Sequence, residues 1–174
     1  MTELILARHG ETDWNLGRRV QGHTDIPLNA AGVDQARELA VALAGEPIVA
    51  VFSSDLSRAL ETARAIARPH DLEVEVDPRL REKNFGTWEG LTDAEIAERF
   101  PNAQRGTWGD GETSAEVTER VMAVLDDIQA RHRDGPVLVV SHGGPLRAML
   151  DALAVEHGPI GNCATFRVEY GRGA

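Results

Sequence analysis

Short apolar runs alternate along this chain with segments of helical period. Leu4 to Ala7, Val49 to Phe52 and Val137 to Val140 read as strands, and Leu72 to Val76 and Ala164 to Val168 as weaker ones. Between them, Asn29 is positioned to cap a helix whose Val33, Ala36, Leu39, Ala40 and Leu43 share one face and which Gly45 stops. A second helix starts near Leu56, turns Leu56, Ala59, Leu60, Ala63 and Ile66 inward, and has Pro69 beyond its end. Thr92 with Glu95 and Thr113 with Glu116 have capping-box spacing and open two more. The later of these is strongly amphipathic through Val117, Val121, Val124, Leu125 and Ile128. A last helix follows Gly144, with Pro145 in its first turn and Leu146, Met149, Leu150 and Leu153 toward the core. This βαβα order predicts an α/β sandwich with a largely parallel sheet. No repeat, low-complexity tract or linker-like shift divides the chain, so one domain over residues 1–174 is expected.

The pattern also says where the polar clusters fall. Arg8-His9 follows the first strand, Ser53-Ser54-Asp55 the second, and Ser141-His142-Gly143-Gly144 the strand from Val137. Ligands of parallel α/β sheets bind outside the carboxyl ends of the strands, so three clusters are expected to meet at one sheet edge. His9 sits between Arg8, whose charge disfavours an imidazolium, and Gly10, which lets a ligand approach the backbone. His142 precedes a helix N-terminus, a place that gathers anions. Arg58, in the first turn of the second helix, opposes the macrodipole, which suggests that something other than helix stability placed it. Taken singly, each has a bland reading: a structural histidine, a glycine-rich turn, or a surface pair of Arg58 with Glu61 or Asp55.

Charge narrows the partners. With 18 basic and 28 acidic residues among 174, the net charge is −10, which disfavours nonspecific binding to nucleic acid or anionic membrane. The single Cys163 excludes an internal disulfide and a multi-cysteine zinc site and fits a reducing compartment. No run approaches the ~18 apolar residues of a membrane helix, and the opening Leu4–Ala7 run is too short for a signal peptide. A cytoplasmic protein is the expectation, with room for a homodimer through an edge strand or helix.

The combination resembles the histidine phosphatase superfamily, the phosphoglycerate mutase-like proteins. The matching blocks run in order: Arg8-His9-Gly10-Glu11-Thr12 with Trp14-Asn15; Val20-Gln21-Gly22; Pro27-Leu28-Asn29 with Gly32 and Gln35-Ala36; Ser53 to Ala59 with Thr62-Ala63; Leu80-Arg81-Glu82 to Gly90; and Ser141-His142-Gly143. The resemblance implies a three-layer α/β/α sandwich and a nucleophilic His9 that becomes a phosphohistidine. It further implies phosphoryl binding by Arg8, Arg58 and His142, with Asn15, Gln21, Gly22 and the backbone near Gly143 as further substrate contacts. Glu82 would donate a proton to the leaving oxygen and then take one from water. No cofactor and no metal are expected, and the expected partner is a small phosphate ester.

Fixed donors suit this chemistry, because a phosphoryl group in transfer spreads negative charge over its equatorial oxygens. The chemical rival is a metal hydrolase using His9, His142 and carboxylates, but there is no HExxH and two arginines would repel a dication. Walker, GxGxxG and GxSxG patterns are absent as well. A decayed phosphate-binding module would not need all five core positions. Hydrolysis is favoured over mutase chemistry, since only 59 positions separate Glu82 from Ser141 with no paired arginine between them, and Gly144 stands where the mutase pattern carries Asn. Glu82 also argues against a protein phosphohistidine substrate, whose leaving nitrogen needs less help. The acid block resembles that of α-ribazole and broad-specificity phosphatases, but departs from it at Lys83-Asn84, where an apolar residue would come first. Gln21, His23, Lys83, Trp14, Trp108 and the 100–112 loop are the candidates for shaping the leaving-group side. Glu112 is assigned either to that pocket or to capping the helix behind it. His70, His132 and His157 are expected to face solvent, Asp126-Asp127 to lie on a polar helix face, and Cys163 to be buried at the start of the last strand.

Overall fold

Strand β1 (Thr2–Arg8) is apolar on both faces, with Leu4, Ile5, Leu6 and Ala7 all essentially sealed from solvent. A strand buried on both sides must be covered on both sides, and this dictates the layers. The computed structural model, which describes residues 1–103 and 109–171, shows how that is done. After a short α1 (Asp13–Leu16), α2 (Ala30–Leu43) leads to β2 (Ala50–Ser53), and α3 (Ser57–Ala67) to β3 (Val74–Val76). The chain continues through α4 (Asp93–Arg99) and α5 (Ser114–Arg131) to β4 (Val137–Ser141), and through α6 (Gly143–Ala152) to β5 (Thr165–Tyr170).

The sheet order is β3-β2-β4-β1-β5, parallel except for β5 at the edge. Ile5, Ala7, Val51, Leu138 and Val140 face α2 and α3. Leu4, Leu6, Phe52, Val137 and Val139 face α5 and α6. The three-layer α/β/α sandwich expected from the sequence is therefore the fold, with β4 inserted between β1 and β2. That insertion sets the carboxyl ends of β2, β4 and β1 side by side, with Arg8 opposite Ser141 in the ladder.

Boundaries differ from expectation by a few residues. Val49 lies just outside β2 and is exposed, β3 is only three residues long, and β5 extends to Tyr170. Val33, Leu39, Leu60 and Leu153 are half-buried, not fully inward. Helix α6 begins two residues early, at Gly143, because His142 already has the extended backbone of a cap. Both capping boxes formed as spaced, at Thr92–Glu95 and Thr113–Glu116. A third, Thr12–Asn15, opens α1, which is too short for a periodicity signal.

Candidate active site

The β1–β4 ladder continues one step beyond the strands, where the His9 N–H donates to the Ser141 carbonyl at 3.1 Å. Ser54 N–H likewise donates to Val140 at 3.1 Å. These two bonds hold the three strand ends together and bring the His9 and His142 rings to a centroid separation of 5.0 Å, tilted by 59°. Both histidines are buried. Burial, reinforced by the nearby guanidiniums, holds both imidazoles well below the ordinary histidine range and hence neutral. The sequence argument gave that task to Arg8; for His9, burial is the larger cause, with Arg8 and Arg58 second and third.

Hydrogen bonds assign the two tautomers. His9 Nδ1 lies 2.7 Å from the Gly10 carbonyl, which can only accept, so Nδ1 carries the proton and Nε2 keeps a bare lone pair. His142 Nε2 lies 2.9 Å from Ser54 Oγ, which also accepts from Leu56 N–H. The Ser54 hydroxyl proton has no other acceptor among the described residues and goes to His142 Nε2, which puts the His142 proton on Nδ1. That atom is buried and has no partner among the described residues. Arg8 Nε and Arg58 Nε are in the same condition. An unpaired buried donor costs about 1–3 kcal/mol, so three of them around one histidine mark a place shaped for an anion.

The arginines are held by backbone carbonyls, which fix them without neutralising them. Arg8 Nη1 donates to Ile160 at 2.6 Å. Arg58 is fully buried, with Nη1 donating to Thr24 at 3.0 Å and Nη2 to Gly22 at 2.8 Å. The surface-pair reading of Arg58 is thus excluded. Gly22 serves from behind: it adopts φ +57°, and a Cβ there would meet Glu89 Oε1 at 2.0 Å. Gln21 is buried and accepts from the Thr12 hydroxyl at 2.8 Å. Asn15 commits its amide oxygen to Thr12 N–H, leaving its NH2 as a donor. Gly143, as the first residue of α6, has an N–H without an intrahelical acceptor.

Glu82 completes the group from the loop after Leu80. Its Oε1 accepts from Lys83 N–H at 2.8 Å and its Oε2 from Gly144 N–H at 3.3 Å. The loop is clamped by Arg120 of α5, which donates to the carbonyls of Arg79, Arg81 and Glu82 and pairs with Glu112. Glu112 also accepts from Asn84 N–H at 2.8 Å, so it braces the acid loop and caps nothing.

Three bracing residues escaped the sequence reading. Glu89 accepts from His23 and Thr24 N–H and ties down the loop that holds Arg58. Arg120 clamps the acid loop. Asn162 donates to the carbonyl of His9 at 3.1 Å and to Asn15 at 3.2 Å. None has a local signal, because each works on residues remote in the chain.

The other candidate residues have mixed surroundings. Trp14 packs over Gly90, and His23 leans toward Glu112 at 3.9 Å. His70, His132 and His157 are half-buried, His157 pairing with Asp151. Asp126 accepts from the Tyr170 hydroxyl and Asp127 pairs with Arg79. Cys163 precedes β5 with φ 56°, half-buried, its thiol pushed up to about 11 by burial. Trp108 lies outside the described residues, as does part of the 100–112 loop. Among the described residues no three His, Cys, Asp or Glu side chains cluster as a metal centre would require.

A family model described as the histidine phosphatase superfamily (branch 1) matches residues 4–174. The metal-independent phosphoserine phosphatase of Arabidopsis thaliana is 40% identical over 163 residues, covering 86% of this chain and 67% of that protein. Phosphoglycerate mutase-like protein 4 of the same plant is 38% identical over 160 residues, covering 86% and 70%. Among solved structures, the mycobacterial glucosyl-3-phosphoglycerate phosphatase in complex with VO3 superposes with a TM-score of 0.88 at 32% identity, covering 97% and 91% of the two chains.

Proposed function

The chain belongs to the histidine phosphatase superfamily, and we propose that it is a phosphomonoesterase acting on a small phosphorylated metabolite through a phosphohistidine on His9. The observation that carries this reading is the bare Nε2 of a neutral, buried His9 beside unpaired donors of Arg8, Arg58 and His142. In the first step the Nε2 lone pair forms a P–N bond as the ester P–O bond breaks. Glu82 gives its proton to the departing oxygen. In the second, water attacks phosphorus, its proton passes to the Glu82 carboxylate, and the P–N bond breaks to return the lone pair to Nε2 and release inorganic phosphate. Arg8, Arg58 and the His142 Nδ1–H hold the equatorial oxygens throughout, with the Asn15 amide and Gly143 N–H as further donors. Gln21 and Gly22 act on this group by fixing the loop behind it.

Hydrolysis is favoured over mutase transfer by the phosphatase relatives and by the short Glu82-to-Ser141 interval without paired arginines. The same proposal takes the whole chain as one catalytic domain working in the cytoplasm. No helix among the described residues is long and apolar enough to cross a membrane. A panel of phosphate esters with excess EDTA tests the reading. Phosphate release undiminished by the chelator supports it. Complete loss restored by added metal, or efficient interconversion of phosphoglycerates, overturns it.

A further inference from the structure

Thr62 stands in one of the sequence blocks that carry the family resemblance, yet none of the catalytic steps uses it. It lies on α3 one turn after Arg58, on the face that also buries Ala59, Ala63 and Ile66, and is itself sealed from solvent. A hydroxyl on such a face is costly unless hydrogen-bonded, and threonine is a poor helix former. Bonding back to its own helix would satisfy it, and its Oγ1 does donate to the Arg58 carbonyl at 2.7 Å. The same oxygen also reaches out of the helix, where it accepts from the Gly10 N–H at 3.1 Å. With its single proton committed to Arg58, the hydroxyl meets Gly10 only as an acceptor.

The Gly10 N–H belongs to the His9–Gly10 peptide, which is gripped at its other end as well. The His9 carbonyl accepts from Asn162 Nδ2 at 3.1 Å and from the Cys163 N–H at 3.2 Å. The Gly10 carbonyl, in turn, accepts from His9 Nδ1–H at 2.7 Å. Glycine restrains its own dihedrals less than any other residue, so the direction of that carbonyl is set by what holds the peptides on either side of Gly10. On the far side the Glu11 N–H donates at 2.9 Å to Gln35, which is only half-buried. On the near side the acceptor of the N–H among the described residues is the sealed hydroxyl of Thr62.

Resting on the phosphatase reading, we propose that Thr62 is a positioning residue for the nucleophile. Its hydroxyl fixes the His9–Gly10 peptide, and that peptide aims the Gly10 carbonyl at His9 Nδ1. Nε2 is thereby kept bare and directed at phosphorus. Without the hydroxyl the buried Gly10 N–H has no acceptor, and the turn relieves this by rotating, which carries the carbonyl off Nδ1. The donors that hold the phosphoryl group are untouched, because the Arg58 guanidinium is fixed by the Gly22 and Thr24 carbonyls and not through Thr62.

Thr62→Val tests this, since it keeps the branched shape and removes only the hydroxyl. The substrate is p-nitrophenyl phosphate, whose leaving group needs little acid assistance, so that single-turnover rates report on attack by His9. That rate should fall about 10- to 100-fold, the scale of a misplaced reacting group. The inhibition constant of inorganic phosphate should stay within about twofold, because binding and attack are separately lost. Nitrogen-15 spectra should show His9 losing its Nδ1–H preference, and Thr62→Ser should recover most of the rate. A valine chain that melts earlier yet phosphorylates His9 at full rate with its tautomer unchanged overturns the proposal, as a purely structural hydroxyl would. So does a parallel loss of phosphate affinity, which would place the effect at Arg58. If the valine chain does not fold, Thr62→Cys, a weaker acceptor of similar size, carries the test. It should phosphorylate His9 several-fold more slowly than the wild type, and full rate in that chain overturns the proposal. In each of these cases wild-type turnover leaves the phosphatase reading standing; a wild type that turns over no phosphate ester removes both.

Discussion

His9 and His142 lie ring to ring, yet their hydrogen bonds prepare them for opposite tasks. The Gly10 carbonyl accepts from His9 Nδ1–H and so leaves Nε2 bare; the Ser54 hydroxyl caps His142 at Nε2 and leaves Nδ1–H as a donor. Ser54 is buried and is the only side chain hydrogen-bonded to the His142 ring among the described residues, so it fixes that tautomer. Ser54→Ala should therefore lower kcat by about tenfold or more, since one transition-state donor becomes unreliable. Nitrogen-15 spectra of the ring should show His142 losing its Nδ1–H preference. A Ser54→Ala protein with full activity and an unchanged tautomer would refute the assignment. Ser54 stood within a block recognisable from sequence, but its role depends on a partner 88 positions away.

At the scale of elements, the site depends on how closely α2 approaches the turn after His9. A Cβ on Gly32 would lie 2.0 Å from the Glu11 carbonyl, and one on Gly10 2.5 Å from the Gly32 carbonyl. Asn29 and Gln35, on either side, bond the same turn through Glu11. Two effects compete in Gly32→Ala. Helix propensity favours alanine by about 1 kcal/mol, while backbone contacted at 2.0 Å cannot yield without moving α2 or the turn that carries His9. The clash should win, lowering both Tm and kcat; a raised Tm with full activity would show that the approach is looser. This level was the most legible in sequence. Asn29, Gly32 and Gln35 sat in one block, and apolar periods placed β1, β2, β4 and the long helices within a residue or two. What escaped were elements without a period, such as α1, and braces such as Arg120 and Asn162 that join segments distant in the chain.

The whole molecule is acidic, yet it concentrates Arg8, Arg58 and two neutral histidines at one sheet edge. That arrangement makes stability depend on pH. His9 and His142 resist protonation in the fold but take protons near pH 6.5 when unfolded, so the unfolded state binds more protons below that value. Their contribution is full above about pH 6.5 and is lost as pH falls, by up to roughly 1.4 kcal/mol per unit for each. His157, with its proton affinity raised, acts weakly in the opposite sense, and Asp55 and Asp77 enter only near their lower unfolded values. Denaturant midpoints should thus drop steeply between pH 6.5 and 4.5 and flatten in His9→Asn; a curve flat in the wild type would contradict the buried neutral pair. The measurement closest to the central claim is mass spectrometry of the whole chain quenched during turnover of p-nitrophenyl phosphate and digested under conditions that preserve phosphoramidates. The account predicts one phosphoryl group, carried on His9 and absent from His9→Ala. Sustained turnover with no phosphoenzyme, or with the phosphoryl group on another residue, would contradict it.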